Sequence, residues 1–187
     1  MSMEHKAFIF DYDSFIKELA GILEDALLNS EPRNLITFIE NNLQNLKHPD
    51  EGEPLDSSWR EILETELITQ NITTDISHYG DFAITKYYNP GNNIGVGYDW
   101  ARLDDELVTE LNVNISPLLG IEFGPENNYF DLGKMGSYFQ SPDLVKRNLD
   151  LLNSLPLNMQ ENLPTIPILK KMLSDALALK QGLYITF

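Results

Sequence analysis

The chain of 187 residues contains no cysteine, which excludes a disulfide framework, a thiolate nucleophile and cysteine-ligated zinc. Basic residues are scarce: 13 Lys and Arg stand against 29 Asp and Glu, a net charge of −16. A surface of that sign repels phosphate backbones and anionic bilayers, so nucleic acid and membranes are not expected as direct partners. Long apolar runs are missing as well. The opening "MSMEHKAFIFDYD" has four apolar residues in a row, too few for a signal-peptide core, and no later segment reaches the roughly 18 of a membrane span. A soluble cytoplasmic protein is the expectation. Histidine is limited to His5, His48 and His78, far apart along the chain, and no cofactor is implied.

What is present suffices for a core. Hydrophobic residues make up 42% and charged residues 22%, ordinary values for a chain that folds. The length fits a single globular domain over residues 1–187, with a helical front (1–70), a middle rich in glycine and aromatics (71–140) and a helical back (141–187). In the front, Phe15, Ile16, Leu19, Ile22, Leu23, Ala26 and Leu27 recur at three- and four-residue steps, one stripe of a helix beginning near Asp13. Leu35, Phe38, Ile39, Leu43 and Leu46 repeat the pattern. Ser58 and Glu61 have the spacing of a capping box opening a third helix, with Trp59, Ile62, Leu63 and Leu67 on its apolar stripe. In the back, Ser141-Pro142-Asp143 supplies a cap, a first-turn proline and an acid. "PLNMQENLPTIP" reads as a proline-punctuated loop, the helix after it as ended by Gly182, and the final "LYITF" as a strand.

Residues 78–139 hold 11 of the 19 aromatics and 8 of the 11 glycines, so sheet, turns and any site are expected there. "DFAITKYYNPGNNIGVGYDW" reads as a hairpin. In its second strand Ile94, Val96, Tyr98 and Trp100 share one face and Gly95, Gly97 and Asp99 the other. That glycine face calls for Tyr87 lying across it, or for a close backbone or ligand. The fold class that follows is α+β: a small, mainly antiparallel sheet from the central segment, joined by residues 6–10 and the C-terminal strand, under helices from both ends.

Three segments invite chemistry. Ala7-Phe-Ile-Phe10 followed by Asp11-Tyr-Asp13 resembles the first motif of the haloacid dehalogenase-like phosphohydrolases. That resemblance implies a nucleophilic Asp11 and a proton-transferring Asp13 at the tip of a parallel sheet. The family's later motifs do not follow in order, since the acid pair Asp104-Asp105 precedes the Lys134 and Ser137 candidates, and Asp13 as a helix cap accounts for the same residues. "FDLGKMGSYFQSP" offers Lys134 and Ser137 among Tyr129, Phe130, Asp131, Tyr138 and Phe139. A phosphate-cradling Walker loop is excluded there, because Asn128 stands where its first glycine belongs and Met135 where its hydroxyl belongs. A metal would need His78 and Asp81, aided by Asp75 and Asp99.

Two functional classes therefore stand side by side. One is a non-catalytic acidic binding protein of the bacterial cytosol, an inhibitor or immunity-type partner of a basic protein, whose face comprises Tyr87, Tyr98, Trp100, Tyr129, Phe130, Asp131, Lys134, Ser137 and Tyr138. The other is a small-molecule- or metal-dependent hydrolase in the 78–139 segment, centred on Asp131, Lys134 and Ser137 or on His78 and Asp81. No catalytic residue is assigned.

Overall fold

The computed structural model describes residues 3–69, 76–132 and 135–187. Strand β1 (Lys6–Phe10) leads into α1 (Tyr12–Phe15), a π-helical turn (Ile16–Ala20) and α2 (Gly21–Asn29), followed by α3 (Arg33–Asn42), α4 (Trp59–Thr69) and α5 (Ile76–Ile84). Beyond a 3-10 turn at Thr85–Tyr87 come α6 (Trp100–Leu111) and the short strands β2 (Ile121–Glu122) and β3 (Tyr138–Gln140). Helices α7 (Pro142–Asn153), α8 (Leu157–Asn162) and α9 (Ile166–Ala178) precede the last strand, β4 (Gly182–Thr186). No described helix is long and apolar enough to cross a membrane. The fold is α+β. It divides into two compact units, one of Met1–Asp13, Asn92–Glu122 and Gly133–Phe187, the other of Ser14–Gly91 and Phe123–Leu132.

The first unit is built on a sheet of order β1-β4-β3-β2, antiparallel at every pairing. Strand alternation sorts its side chains. Ala7, Leu183 and Ile185 join Val145 and Leu152 of α7 and Leu169, Met172 and Leu173 of α9 in one apolar core. Phe8, Phe10, Phe139 and Tyr184 lie on the opposite face, where Phe139 and Tyr184 have ring centroids 5.2 Å apart and Phe10 and Phe139 meet edge-on at 5.4 Å. A parallel sheet tip with Asp11 and Asp13 around it, as the phosphohydrolase resemblance implied, is not the architecture here. Instead α1 starts at Tyr12, so that Asp11 holds the cap position expected for Asp13 and Asp13 lies two residues further on, inside the first turn.

Helix α7 begins where its sequence says. The Ser141 hydroxyl accepts the Leu144 N–H at 3.2 Å, Pro142 takes the first helical position and Asp143 faces the positive end of the dipole. Removing the cap with Ser141→Ala is expected to cost about 1 kcal/mol and to lower Tm by roughly 2–4 °C, measured by thermal denaturation. Two expectations for the back half are corrected. Residues 157–162 form α8 rather than loop, with Pro156 at the cap position and its carbonyl accepting the Gln160 N–H at 3.2 Å. The final helix is ended by Lys180 in the left-handed region (φ 56°). Gly182 belongs to β4 instead, where a Cβ would fall 2.3 Å from the Gln140 carbonyl oxygen.

The second unit is helical. Phe15, Leu19, Leu23 and Leu27 are buried at four-residue steps, a spacing the wider π turn favours, and Ile16 is left 47% exposed. Helices α2, α3 and α5 pack together, and Leu23, Ala26, Leu35, Ile39, Phe82 and Ala83 on them are buried. Trp59 and Leu63 of α4 are buried, with Trp59 edge-on to Tyr79 at 6.2 Å, while Ile62 is exposed and the Leu67 side chain lies outside the description. Ser58 stands just before α4, its carbonyl accepting the Ile62 N–H and its hydroxyl donating to Asp56.

The expected hairpin over 81–100 does not form. Its first half is the end of α5 and the 3-10 turn. Phe82 and Ile84 stand two apart in the letters, as in a strand, but Tyr79, Phe82 and Ala83 also fall on one helical stripe, and the stripe against α2 and α3 wins. Its second half does make strand-like bonds, with a different partner. Segment 93–97 runs beside β1, with Ile94 N–H donating to Ala7 O at 2.8 Å and His5 and Gly97 exchanging bonds at 3.0 and 3.3 Å.

Candidate functional site

The residues marked out by the sequence fall into both units and into several environments. Trp100 opens α6, its indole N–H donating to the Met3 carbonyl at 2.9 Å and its ring 4.5 Å from that of Phe187. Tyr138 meets the same Phe187 edge-on at 6.5 Å and donates its hydroxyl to Met135 O at 3.3 Å. Ser137 is buried, with its hydroxyl 3.4 Å from that of Tyr184. Tyr98 is 64% exposed. Lys134 lies outside the described residues.

In the other unit, Tyr87 is buried edge-on to Phe15 at 5.9 Å and donates its hydroxyl to Glu18 at 3.3 Å. Lys86 pairs with the same carboxylate at 2.6 Å, and this bond holds the Glu18 pKa below the usual carboxylate value. Phe130 is fully buried and Tyr129 is 39% exposed. The Asp131 N–H donates to the Ser77 hydroxyl at 3.2 Å, fastening segment 123–132 to α5. Most of these aromatics thus anchor loops on cores, whereas Tyr98 and Tyr129 are exposed and Tyr138 is half-buried. His78 and Asp81 are one helical turn apart on α5, both half-buried, and Asp75 lies outside the described residues. Among the described residues no three His, Asp or Glu side chains are grouped to hold a metal ion.

A site that the letters did not announce lies along α6. Leu103 and Leu107 turn into the core, so the residues a step further round the helix, Asp105, Glu106, Thr109 and Glu110, form a polar stripe of i, i+4 pairs. Facing it are Pro156, Asn158, Met159, Asn162 and Leu163, and the cavity between them measures about 460 Å³. Its wall carries three carboxylates, of which Glu106 is paired with Arg102 at 2.8 Å. Its other wall is apolar at Pro156, Met159 and Leu163 and carries the amides of Asn158 and Asn162. Next to it Asp104 accepts a hydrogen bond from Ser116, and its pKa is raised chiefly by burial, with that bond opposing and the Asp105 charge adding to it. The signal was the Asp-Asp-Glu-x-x-x-Glu spacing beside Leu103 and Leu107. Its meaning depended on α8, which the sequence left as loop.

A second hollow of about 290 Å³ is lined by Leu27, Ser30, Pro32, Ile76, Ser77, Tyr79 and Asn128. Two of its polar groups already hold the 123–132 segment, since Ser77 accepts from Asp131 and the Asn128 amide donates to Leu27 O at 2.5 Å. Comparison of the chain with protein-family models, with curated proteins and with solved structures finds no match.

Proposed function

We propose that this is a non-catalytic acidic binding protein of the cytoplasm, an inhibitor or immunity-type partner of a cationic protein, and that the α6–α8 groove receives a lysine or arginine side chain of that partner. The observation that carries this reading is the pairing of carboxylates with an apolar wall in one cavity. A lysine or arginine has a matching division: its aliphatic stem lies against Met159 and Leu163 while its charged head reaches Asp105 and Glu110. The net charge of −16 supports the reading from outside the groove, because complementary fields accelerate encounter with a basic partner. A hydrolase at Asp131, Lys134 and Ser137 gains no comparable support, the Ser137 hydroxyl being buried beside that of Tyr184.

The test uses a short lysine-rich peptide, followed by isothermal calorimetry at low and raised salt. Wild-type protein is expected to bind it in a salt-sensitive way. Asp105→Asn with Glu110→Gln is expected to weaken binding about ten-fold, two exposed ion pairs at about 0.5–1 kcal/mol each. Glu24→Gln with Glu40→Gln, which neutralise exposed acids on α2 and α3, should change it far less. Equal losses in the two double variants would reduce the effect to diffuse charge and remove the groove from the proposal.

A further inference from the structure

His5 is an ionisable side chain with no access to water. Its ring is 0% exposed, where the chain enters β1. Segment 93–97 covers it along the outer edge of that strand, through the His5–Gly97 bonds, the Ile94 N–H to Ala7 O bond and the Ala7 N–H to Asn93 Oδ1 bond at 3.1 Å. The imidazole contributes directly. Its Nδ1 accepts the Val96 N–H at 3.3 Å, which fixes the neutral ring with its proton on Nε2. Nε2 is itself buried and has no hydrogen-bond partner among the described residues, and Phe187 stands edge-on to the ring at 5.9 Å.

We propose that His5 is an acid-sensitive latch: protonation of its ring releases segment 93–97 from β1 and opens that edge of the sheet. A proton on Nδ1 would point at the Val96 N–H, turning an acceptor into a second donor, and would put a charge where no water reaches. The charged and titratable side chains on the surrounding elements are Glu4 and Lys6 beside it in sequence, Asp99 ahead of α6, Arg102, Asp104, Asp105, Glu106 and Glu110 on α6, Tyr138 on β3, Tyr184 on β4, and Lys170, Lys171 and Asp175 on α9. Segments 93–97 and 117–119 carry none, and Asp104 is engaged with Ser116. None of these supplies a counter-charge: burial dominates and lowers the His5 pKa to about 4, opposed only by backbone contacts at His5 and Leu118.

The direction follows from linkage. The folded state resists a proton that the unlatched state takes up near pH 6.5, so the latch is fully closed above that pH and loosens as pH falls toward 4. At pH 5 the closed-to-open ratio is expected to have dropped by about 30-fold, and by about 300-fold at most below pH 4. A short segment at the sheet edge, held by a few backbone bonds and the burial of Val96 and part of Ile94, opens before the centre of the sheet does.

The experiment is amide hydrogen exchange by NMR on the full chain at pH 7.5 and 5, corrected for intrinsic rates, with a direct titration of the His5 imidazole. Protection at Ile94, Val96 and Gly97 is expected to fall about 30-fold, while Leu183 and Ile185 in β4 change little. His5→Asn, which keeps an acceptor near the Nδ1 position and cannot titrate, is expected to remove the difference. An imidazole that titrates near 6.5 with segment 93–97 still protected would overturn the latch, as would an equal fall in the variant or in β4. Should the variant not fold, the wild-type titration alone decides.

Discussion

Gly95→Ala is expected to be among the most damaging single-methyl changes in the chain. A Cβ at this position would lie 2.2 Å from His5 O, 2.8 Å from Lys6 Cα and 2.9 Å from Ala7 N. All three are backbone atoms of the strand entry, so no side-chain rotation relieves the overlap. Either segment 93–97 lifts away from β1, losing the bonds at Ile94, Val96 and Gly97, or β1 shifts and disturbs its pairing with β4. Overpacking of this kind costs about 3 kcal/mol or more, which in a chain of this size lowers Tm by roughly 6–12 °C. Gly97→Ala is the informative comparison. Among the described residues nothing lies within 4 Å of its would-be Cβ, but its φ of 79° is left-handed, so the penalty is conformational and about 1–2 kcal/mol. Thermal melts of both variants should rank Gly95→Ala clearly below Gly97→Ala. The reverse order would mean that segment 93–97 is not pressed against β1.

The close approach at Gly95 also marks how far the letters could be read. Two glycines alternating with Ile94, Val96 and Tyr98 announced a bare strand face, and a neighbouring backbone was one of the explanations open. Which backbone was not legible, because strand pairing is long-range and a period of two identifies a strand without its partner. The letters favoured the adjacent "DFAITKYY", whose apolar residues fit a helical stripe equally well. Local signals fared better. Ser141-Pro142 fixed the start of α7, and the apolar repeats of Leu35–Ile39 and Leu169–Leu173 found their helices, since caps and amphipathic stripes are written within a few residues of where they act. "LYITF" and residues 6–10 were readable as strands, though not that they pair with each other. The aromatics of 78–139 were legible as important but not as buried or exposed. Trp100 and Phe130 turned inward and Tyr98 outward, and nothing in composition separates an anchor from a contact surface. The groove failed to appear for the same reason as the strand partner, since half of it comes from α8, about fifty residues downstream of α6.

Gln140→Leu is expected to cost more than Asn148→Leu, although the two side chains share a hydrogen bond and both are 0% exposed. Gln140, on β3, donates through Nε2 to the carbonyls of Pro117 at 3.1 Å and Leu118 at 3.4 Å and accepts the Asn148 amide on α7 at 2.9 Å. Replacing it leaves two carbonyls and the Asn148 N–H group without that partner in a dry interior. At about 1–3 kcal/mol for each unsatisfied group the loss is expected to reach about 3 kcal/mol or more. Replacing Asn148 strands the Gln140 oxygen, and it also removes Asn148 Oδ1, which is buried with no partner among the described residues; about 1 kcal/mol is expected. The double variant should then lose less than the sum of the singles, because Asn148 is no longer present to be orphaned, with a coupling of about 0.5–3 kcal/mol. Urea denaturation of the four proteins checks all three statements at once. Additive losses, or an Asn148 variant as unstable as the Gln140 one, would show that Gln140 does not bridge the 117–118 segment to the sheet.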